Sequence, residues 1–336
     1  MAEDQRLGAL HWIDHYAIPT NDLDRWVDWN AKVLGATEPW QDTAPAPGQP
    51  RRAEFRVLGG CHVIGFAQSA PVPAGKGLGQ GLPRYGFYVR PEDMPEHVRR
   101  LDELKVPHTT PARTSAEGEA GTTIYFQDPD ENQFEFWAPE RMPDGAMEGA
   151  SPQGVGRISH AVFESRDLER TASFYSRYCG LDRMASGGVA ADTMVLPMVA
   201  GSRLVFKKVD QLQLRTGGST KWQGVHNAFV VRDEEFYSAY ERIWNELGEW
   251  DYDQRAQGPA ANAAELGART GMHGSDAGRR WKAMYGRGDQ IYDWDTNSFH
   301  FVGGSSDGPT LATYHAHYME DYVEKFMKAK EQGGGK

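Results

Sequence analysis

The alternation of apolar and polar positions along this chain repeats itself over a long distance. His15-Tyr-Ala-Ile-Pro-Thr-Asn-Asp22-Leu23-Asp-Arg25 and His160-Ala-Val-Phe-Glu-Ser-Arg-Asp167-Leu168-Glu-Arg170 carry His, Asp, Leu and Arg at identical offsets. In each copy a strand-like segment leads to an aspartate of the type that caps free backbone amides. A helical pattern follows and stops at a glycine, Gly35 in the first copy and Gly180 in the second. Self-similarity of this kind implies a duplicated architecture, so each histidine is judged by its place in the repeat.

The same reading divides the chain into four strand-helix-strand units. In the first, Ala53-Glu-Phe-Arg-Val-Leu and Cys61-His-Val-Ile-Gly-Phe alternate about Gly59-Gly60, a hairpin signal. The second starts at Tyr85-Gly-Phe-Tyr-Val89 and is predicted to form a helix from Glu92 to Lys105. It closes with Thr122 to Phe126, the turn Asp128-Pro-Asp-Glu-Asn132 and Gln133 to Trp137. Pro139 to Gly156, rich in Pro and Gly, reads as a linker. The third unit runs from Arg157 to Val209, with strands predicted at Val195 to Val199 and Arg203 to Lys207. The fourth has Val225 to Val231, a helix from Glu234 to Leu247, and a final hairpin from Gln290 to Val302. Gly248 to Asp289 is an irregular insertion of the kind that forms lids and binding loops. From Thr310 to Gln332, Leu311, Tyr314, Tyr318, Tyr322 and Phe326 recur at helical spacing, so a last helix is expected over the mouth of a site.

Size and charge narrow the function. With 336 residues the chain exceeds what one core usually supports, so two domains are expected. A formal net charge of -11, without a run of Lys and Arg long enough to hold a phosphate backbone, argues against nucleic-acid binding. Two cysteines, Cys61 and Cys179, are too few for a disulfide framework and read as buried free thiols. Neither a signal peptide nor a membrane-length apolar stretch is visible, which points to a cytoplasmic protein.

Four such units in two pairs, each pair closing with Asp-x-Asp-x-Asn-x-Phe (Asp128 to Phe134 and Asp293 to Phe299), resemble the vicinal oxygen chelate superfamily. The two-domain layout is similar to the type I extradiol ring-cleaving dioxygenases. The resemblance covers residues 10 to 303 and implies an α+β fold of four βαβββ modules paired into two barrel-like domains, with a C-terminal helix. It implies an N-terminal domain over 1–140 without metal, a linker over 141–156, a metal-holding domain over 157–306, and a C-terminal helix and tail over 307–336. Subunit association is common in the superfamily, so a homo-oligomer is consistent with it.

In that family the metal ligands come from the first strand of one unit and the first and last strands of its partner. Carried onto the C-terminal half, those positions are His160, His226 and His300. The family's third ligand is a glutamate, and here the matching carboxylate stands in the N-terminal copy as Glu135. That copy offers His15 and Glu135, with Arg84 or Tyr85 at the middle position. Three neutral imidazoles leave the dipositive charge of a metal uncompensated, which favours an anionic bidentate substrate. Imidazole suits several metals, so Fe(II) follows from the resemblance while zinc fits on inorganic grounds.

Further site residues also follow from the resemblance. Gly271-Met-His273-Gly-Ser-Asp276 resembles a stretch in extradiol enzymes where the histidine meets substrate, and Tyr285 and Tyr292 are candidates for the substrate-binding tyrosine. The acid-base histidine of those enzymes has no equivalent, because Leu204 to Val225 contains none. Phe163, Phe206, Trp222 and Trp281 are candidates for either pocket walls or core. His62, His97 and His108 read as ordinary strand or helix residues. The expectation is therefore a mononuclear non-haem Fe(II) dioxygenase acting on an aromatic or enolisable substrate with dioxygen. A metal-dependent lyase or isomerase, or a non-enzymatic binder of an aromatic compound, are the alternatives.

Overall fold

The computed structural model describes residues 10–41, 51–57, 61–67, 72, 74–114, 119–185, 189–212, 226–232, 291–292 and 298–304. The insertion Gly248 to Asp289, the helix expected from Glu234 to Leu247 and the one expected from Thr310 to Gln332 lie outside these residues.

The two copies of the repeat fold alike because the same residues cap them. Strand β1 (Ile13–Thr20) leads into α1 (Leu23–Val33), where the Asp22 carboxylate accepts the Arg25 amide at 3.0 Å. Strand β9 (Val155–Ser165) leads into α3 (Leu168–Cys179), where Asp167 accepts the Glu169 and Arg170 amides. Each cap satisfies donors that the first helical turn leaves open. Gly180 ends α3 in the left-handed conformation that glycine adopts without steric cost.

The first unit continues with β2 (Thr37–Gln41), β3 (Arg52–Val57) and β4 (Cys61–Ala67). In the second unit, β5 (Arg84–Val89) is followed by α2 (Met94–Glu103), β6 (Ala112–Thr114), β7 (Gly121–Gln127) and β8 (Gln133–Pro139). After α3 come β10 (Thr193–Pro197) and β11 (Arg203–Lys208). The fourth unit supplies β12 (His226–Arg232), β13 (Ile291–Tyr292) and β14 (Ser298–Gly304).

These strands form two seven-stranded sheets, with orders β13-β14-β12-β1-β4-β3-β2 and β10-β11-β9-β5-β8-β7-β6. The pairing differs from one in which each half of the chain closes on itself. The first unit joins the fourth through antiparallel β1 and β12, and the second joins the third through antiparallel β5 and β9. Each sheet therefore draws one unit from either half. The central strands β1, β5, β8 and β9 are buried along their whole length.

An aromatic core lies between the sheets. Tyr16 of β1 stacks on Tyr85 of β5 at 4.0 Å, and Trp29 of α1 lies 5.3 Å from Phe134 of β8. On the helix side of the first sheet, Gly65 of β4 makes room for Trp26, since a Cβ there would sit 2.7 Å from the indole. Burying a ring of that size contributes about 2–3 kcal/mol.

The Asp128-to-Asn132 turn ties the second unit to the first. Asp128 accepts the Asp130 and Asn132 amides, which closes the turn. Asp130 then accepts from the Thr20 hydroxyl at 2.5 Å, the Asn21 side chain at 2.8 Å and Arg25 at 2.9 Å, while Asn132 donates to the Pro19 carbonyl. The motif that marks the repeat in sequence is thus a clamp between units.

Candidate functional site

Because side chains alternate along a strand, residues at matched register positions share one face of a sheet. In the first sheet His15 of β1 is opposite Ala228 of β12 and His62 of β4, and Ala228 is in turn opposite His300 of β14. His226, two residues before Ala228, pairs with Ala17. Positions 15, 62, 226 and 300 therefore fall on one face, on four different strands.

His15 is buried, and its Nδ1 lies 2.6 Å from the Asp14 carboxylate. A carboxylate there favours the tautomer that carries its proton on Nδ1 and its lone pair on Nε2. On the same face, Ala17, Ile64 and Phe66 form a small buried apolar cluster. The opposite face carries Tyr16 and the aromatic core.

In the second sheet the corresponding row reads Arg203 of β11, His160 of β9, Gly86 of β5 and Glu135 of β8. Arg84, two residues before Gly86, occupies the place that His226 has in the first sheet. The register thus assigns the middle position to Arg84, which sequence spacing leaves open between Arg84 and Tyr85. Position by position, His62, His15, His226 and His300 correspond to Arg203, His160, Arg84 and Glu135.

The second-sheet residues are closely packed. Arg84 Nε donates to Glu135 Oε2 at 2.9 Å, and His160 Nε2 lies 3.1 Å from the same oxygen. Thr123 donates its hydroxyl to Glu135 Oε1 at 2.5 Å. The Arg84 guanidinium also donates to the Gly79 carbonyl and lies 4.7 Å over the Tyr125 ring. Arg203 pairs with Glu119 at 2.9 Å and stacks against Trp137. Gly86 is required here, because a Cβ would sit 2.3 Å from the His160 ring. Burial alone would push the Glu135 carboxyl up, but His160 and Arg84 facing it, with the His160 and Thr123 hydrogen bonds, hold it well below the usual carboxylate range.

The expected trio is therefore divided between the sheets. His160 belongs to the second, whereas His226 and His300 stand on β12 and β14 of the first. Tyr292 is placed on β13, opposite Ser298 of β14. His273 and Tyr285 lie outside the described residues, as do Trp222 and Trp281. Phe163 and Phe206, 5.7 Å apart, belong to the core. Among the described residues no three His, Cys, Asp or Glu side chains converge as a metal requires. His62, read from sequence as ordinary, gains its place only through the pairing of β4 with β1. The duplication already marked His15 as the counterpart of His160.

Residues 12–136 match the sequence model of the Glyoxalase/Bleomycin resistance protein/Dioxygenase superfamily. No curated protein matches the chain. Among solved structures, a candidate dioxygenase from Bacillus subtilis subsp. subtilis str. 168 aligns with a TM-score of 0.58 at 15% identity, covering 94% of this chain and 95% of that one. A variant of glyoxalase I from Zea mays aligns with a TM-score of 0.51 at 14% identity, covering 91% and 95%. At these identities the likeness is one of fold. No helix among the described residues is long and apolar enough to cross a membrane. Residues 12–136 carry the sequence signature of the Glyoxalase/Bleomycin resistance protein/Dioxygenase superfamily, and the two sheets give the chain the mixed α+β architecture of the vicinal oxygen chelate fold.

Proposed function

We propose that this protein is a metal-dependent enzyme whose site lies on the histidine face of the first sheet, and that its reaction is an Fe(II)-dependent dioxygenation of an aromatic or enolisable chelating substrate. The observation that carries this reading is the register row that places His15, His226 and His300, with His62, on four strands of one face. His226 and His300 keep the roles the sequence implied. His15 takes the place of His160, whose ring is engaged by Glu135.

The donor set fits a transition metal. Imidazoles are good ligands for iron, zinc, copper and nickel, and neutral donors leave the ion's full charge to attract an anionic chelate. A metal bound there would supply Lewis acidity toward the substrate oxygens and, if it is iron, one-electron chemistry toward dioxygen. The chain's own residues do the rest. Asp14 holds His15 in one tautomer and orientation, and Ala17, Ile64 and Phe66 give the face an apolar wall on which a ring can lie. Near-complete coverage by the Bacillus subtilis neighbour supports the dioxygenase reading.

Metal analysis of the purified protein, paired with an oxygen electrode and a panel of catechols and 1,3-diketones, tests it. Stoichiometric iron and oxygen uptake with a chelating substrate are expected. A metal-dependent isomerase or lyase is the second reading, favoured by the alignment with glyoxalase I. Turnover that persists without oxygen and with zinc or nickel would select it.

A further inference from the structure

The two sheets carry the same constellation of positions, but in the second the middle histidine position is filled by a side chain with its own positive charge. We propose that Arg84 is a built-in cation that takes the place of a metal ion in the second sheet. That half of the molecule is then a metal site closed by its own guanidinium. This goes beyond the reading of the first sheet and rests on the register and on the Arg84, Glu135 and His160 geometry alone.

Several observations converge on it. Arg84 of β5 and His160 of β9 both point a nitrogen at Glu135 Oε2, at 2.9 and 3.1 Å, so one carboxylate oxygen receives groups from two successive strands. All three residues are buried, and a carboxylate placed there needs a positive partner. His226 is the first-sheet counterpart of Arg84. Exchanging guanidinium for imidazole at that position would leave two imidazoles and one carboxylate on three adjacent strands, a set that suits divalent transition metals. Arg203 is already committed elsewhere, because it pairs with Glu119 at 2.9 Å and lies over Trp137. The inference fixes a stoichiometry: the second sheet contributes no metal, whatever the first one binds.

The test compares Co(II) bound per chain in metal-free full-length protein and in Arg84→His, followed by dialysis equilibrium and by visible absorption. Arg84→His is expected to bind one equivalent more than its parent, and Arg84→His combined with His160→Ala is expected to lose it. Because the readout is a difference, it holds whether the first sheet binds one metal or none. An unchanged equivalent count in folded Arg84→His overturns the proposal. Should that variant not fold, a second comparison decides. Arg84→Met is expected to unfold at lower urea than the parent, and adding Glu135→Gln to it is expected to recover part of the loss. No recovery would mean that Arg84 serves only to pack on Tyr125, which also overturns the proposal.

Discussion

His160 Nε2 and Glu135 Oε2 lie 3.1 Å apart in the interior of the second sheet, on strands that are not neighbours but flank β5. The contact is possible because Gly86 between them has no side chain. Glu135 is held ionised by His160 and Arg84 against the cost of burial. A carboxyl with a lowered folded pKa contributes stability above its unfolded value near 4.3, and the contribution disappears as pH falls through the acid range below it. Glu135→Gln should therefore flatten the acid limb of the stability curve. It should also cost about 3 kcal/mol or more at pH 7, since it leaves a buried guanidinium without its anion. Urea titrations of both proteins between pH 3 and pH 7 check the two effects together.

Gly86→Ala tests the packing directly. The added Cβ would fall 2.3 Å from the His160 ring, which is enclosed on all sides and has no room to retreat. A loss of about 1–3 kcal/mol or more is expected from overpacking. The same change made from the other direction, Ala228→Gly in the first sheet, removes only a methyl group and should cost about 1 kcal/mol or less beyond backbone entropy. Comparable losses in the two variants would contradict the asymmetry between the sheets.

Much of the architecture is legible in the sequence because it is local. Asp22 and Asp167 announce their helices, and the Asp128-to-Asn132 turn announces its hairpin, through contacts within a few residues. What the sequence does not carry is which strand edges meet. His160 and His226 stand on the first strands of their units and His300 on the last strand of the fourth, yet β9 pairs with β5 and β12 pairs with β1, so a matching place in the repeat does not mean proximity. His62 is invisible for the same reason: nothing near it in sequence marks it, and only the parallel pairing of β4 with β1 brings it level with His15. Arg84 over Tyr85 at the middle position is likewise a question of register, settled by Gly86 standing opposite both His160 and Glu135.

His97 gives the protein a second acid sensitivity, in a milder range. It lies on the buried side of α2 with Met94 and Leu101, its ring 4.4 Å from Phe136. Burial, with the Arg100 charge nearby, lowers its pKa to about 4. The folded protein keeps the ring neutral while the unfolded chain takes up a proton below about pH 6.5. Stability contributed by the neutral ring is therefore present above pH 6.5 and is lost as pH falls from there to about 4, by up to about 3 kcal/mol. His97→Phe, which keeps a flat ring against Phe136, should remove this slope. Thermal unfolding between pH 4 and pH 7 reads it, and an unchanged slope would show that another group is responsible.

The row on the first sheet makes a prediction that separates its histidines from His160. His226→Ala and His300→Ala should each lower bound metal sharply, because truncating a ligand position removes a donor outright, whereas His160→Ala should leave metal content at the parent value and lower stability instead. Asp14→Asn is a finer probe of the same site. It keeps a hydrogen-bond partner beside His15 Nδ1 but removes the negative charge that lies 2.6 Å from the ring. Metal affinity should fall by about 10- to 100-fold without loss of the fold. Competition against a calibrated chelator measures it. An Asp14→Asn protein that holds metal as tightly as its parent, alongside a His160→Ala protein that has lost it, would move the metal centre to the second sheet.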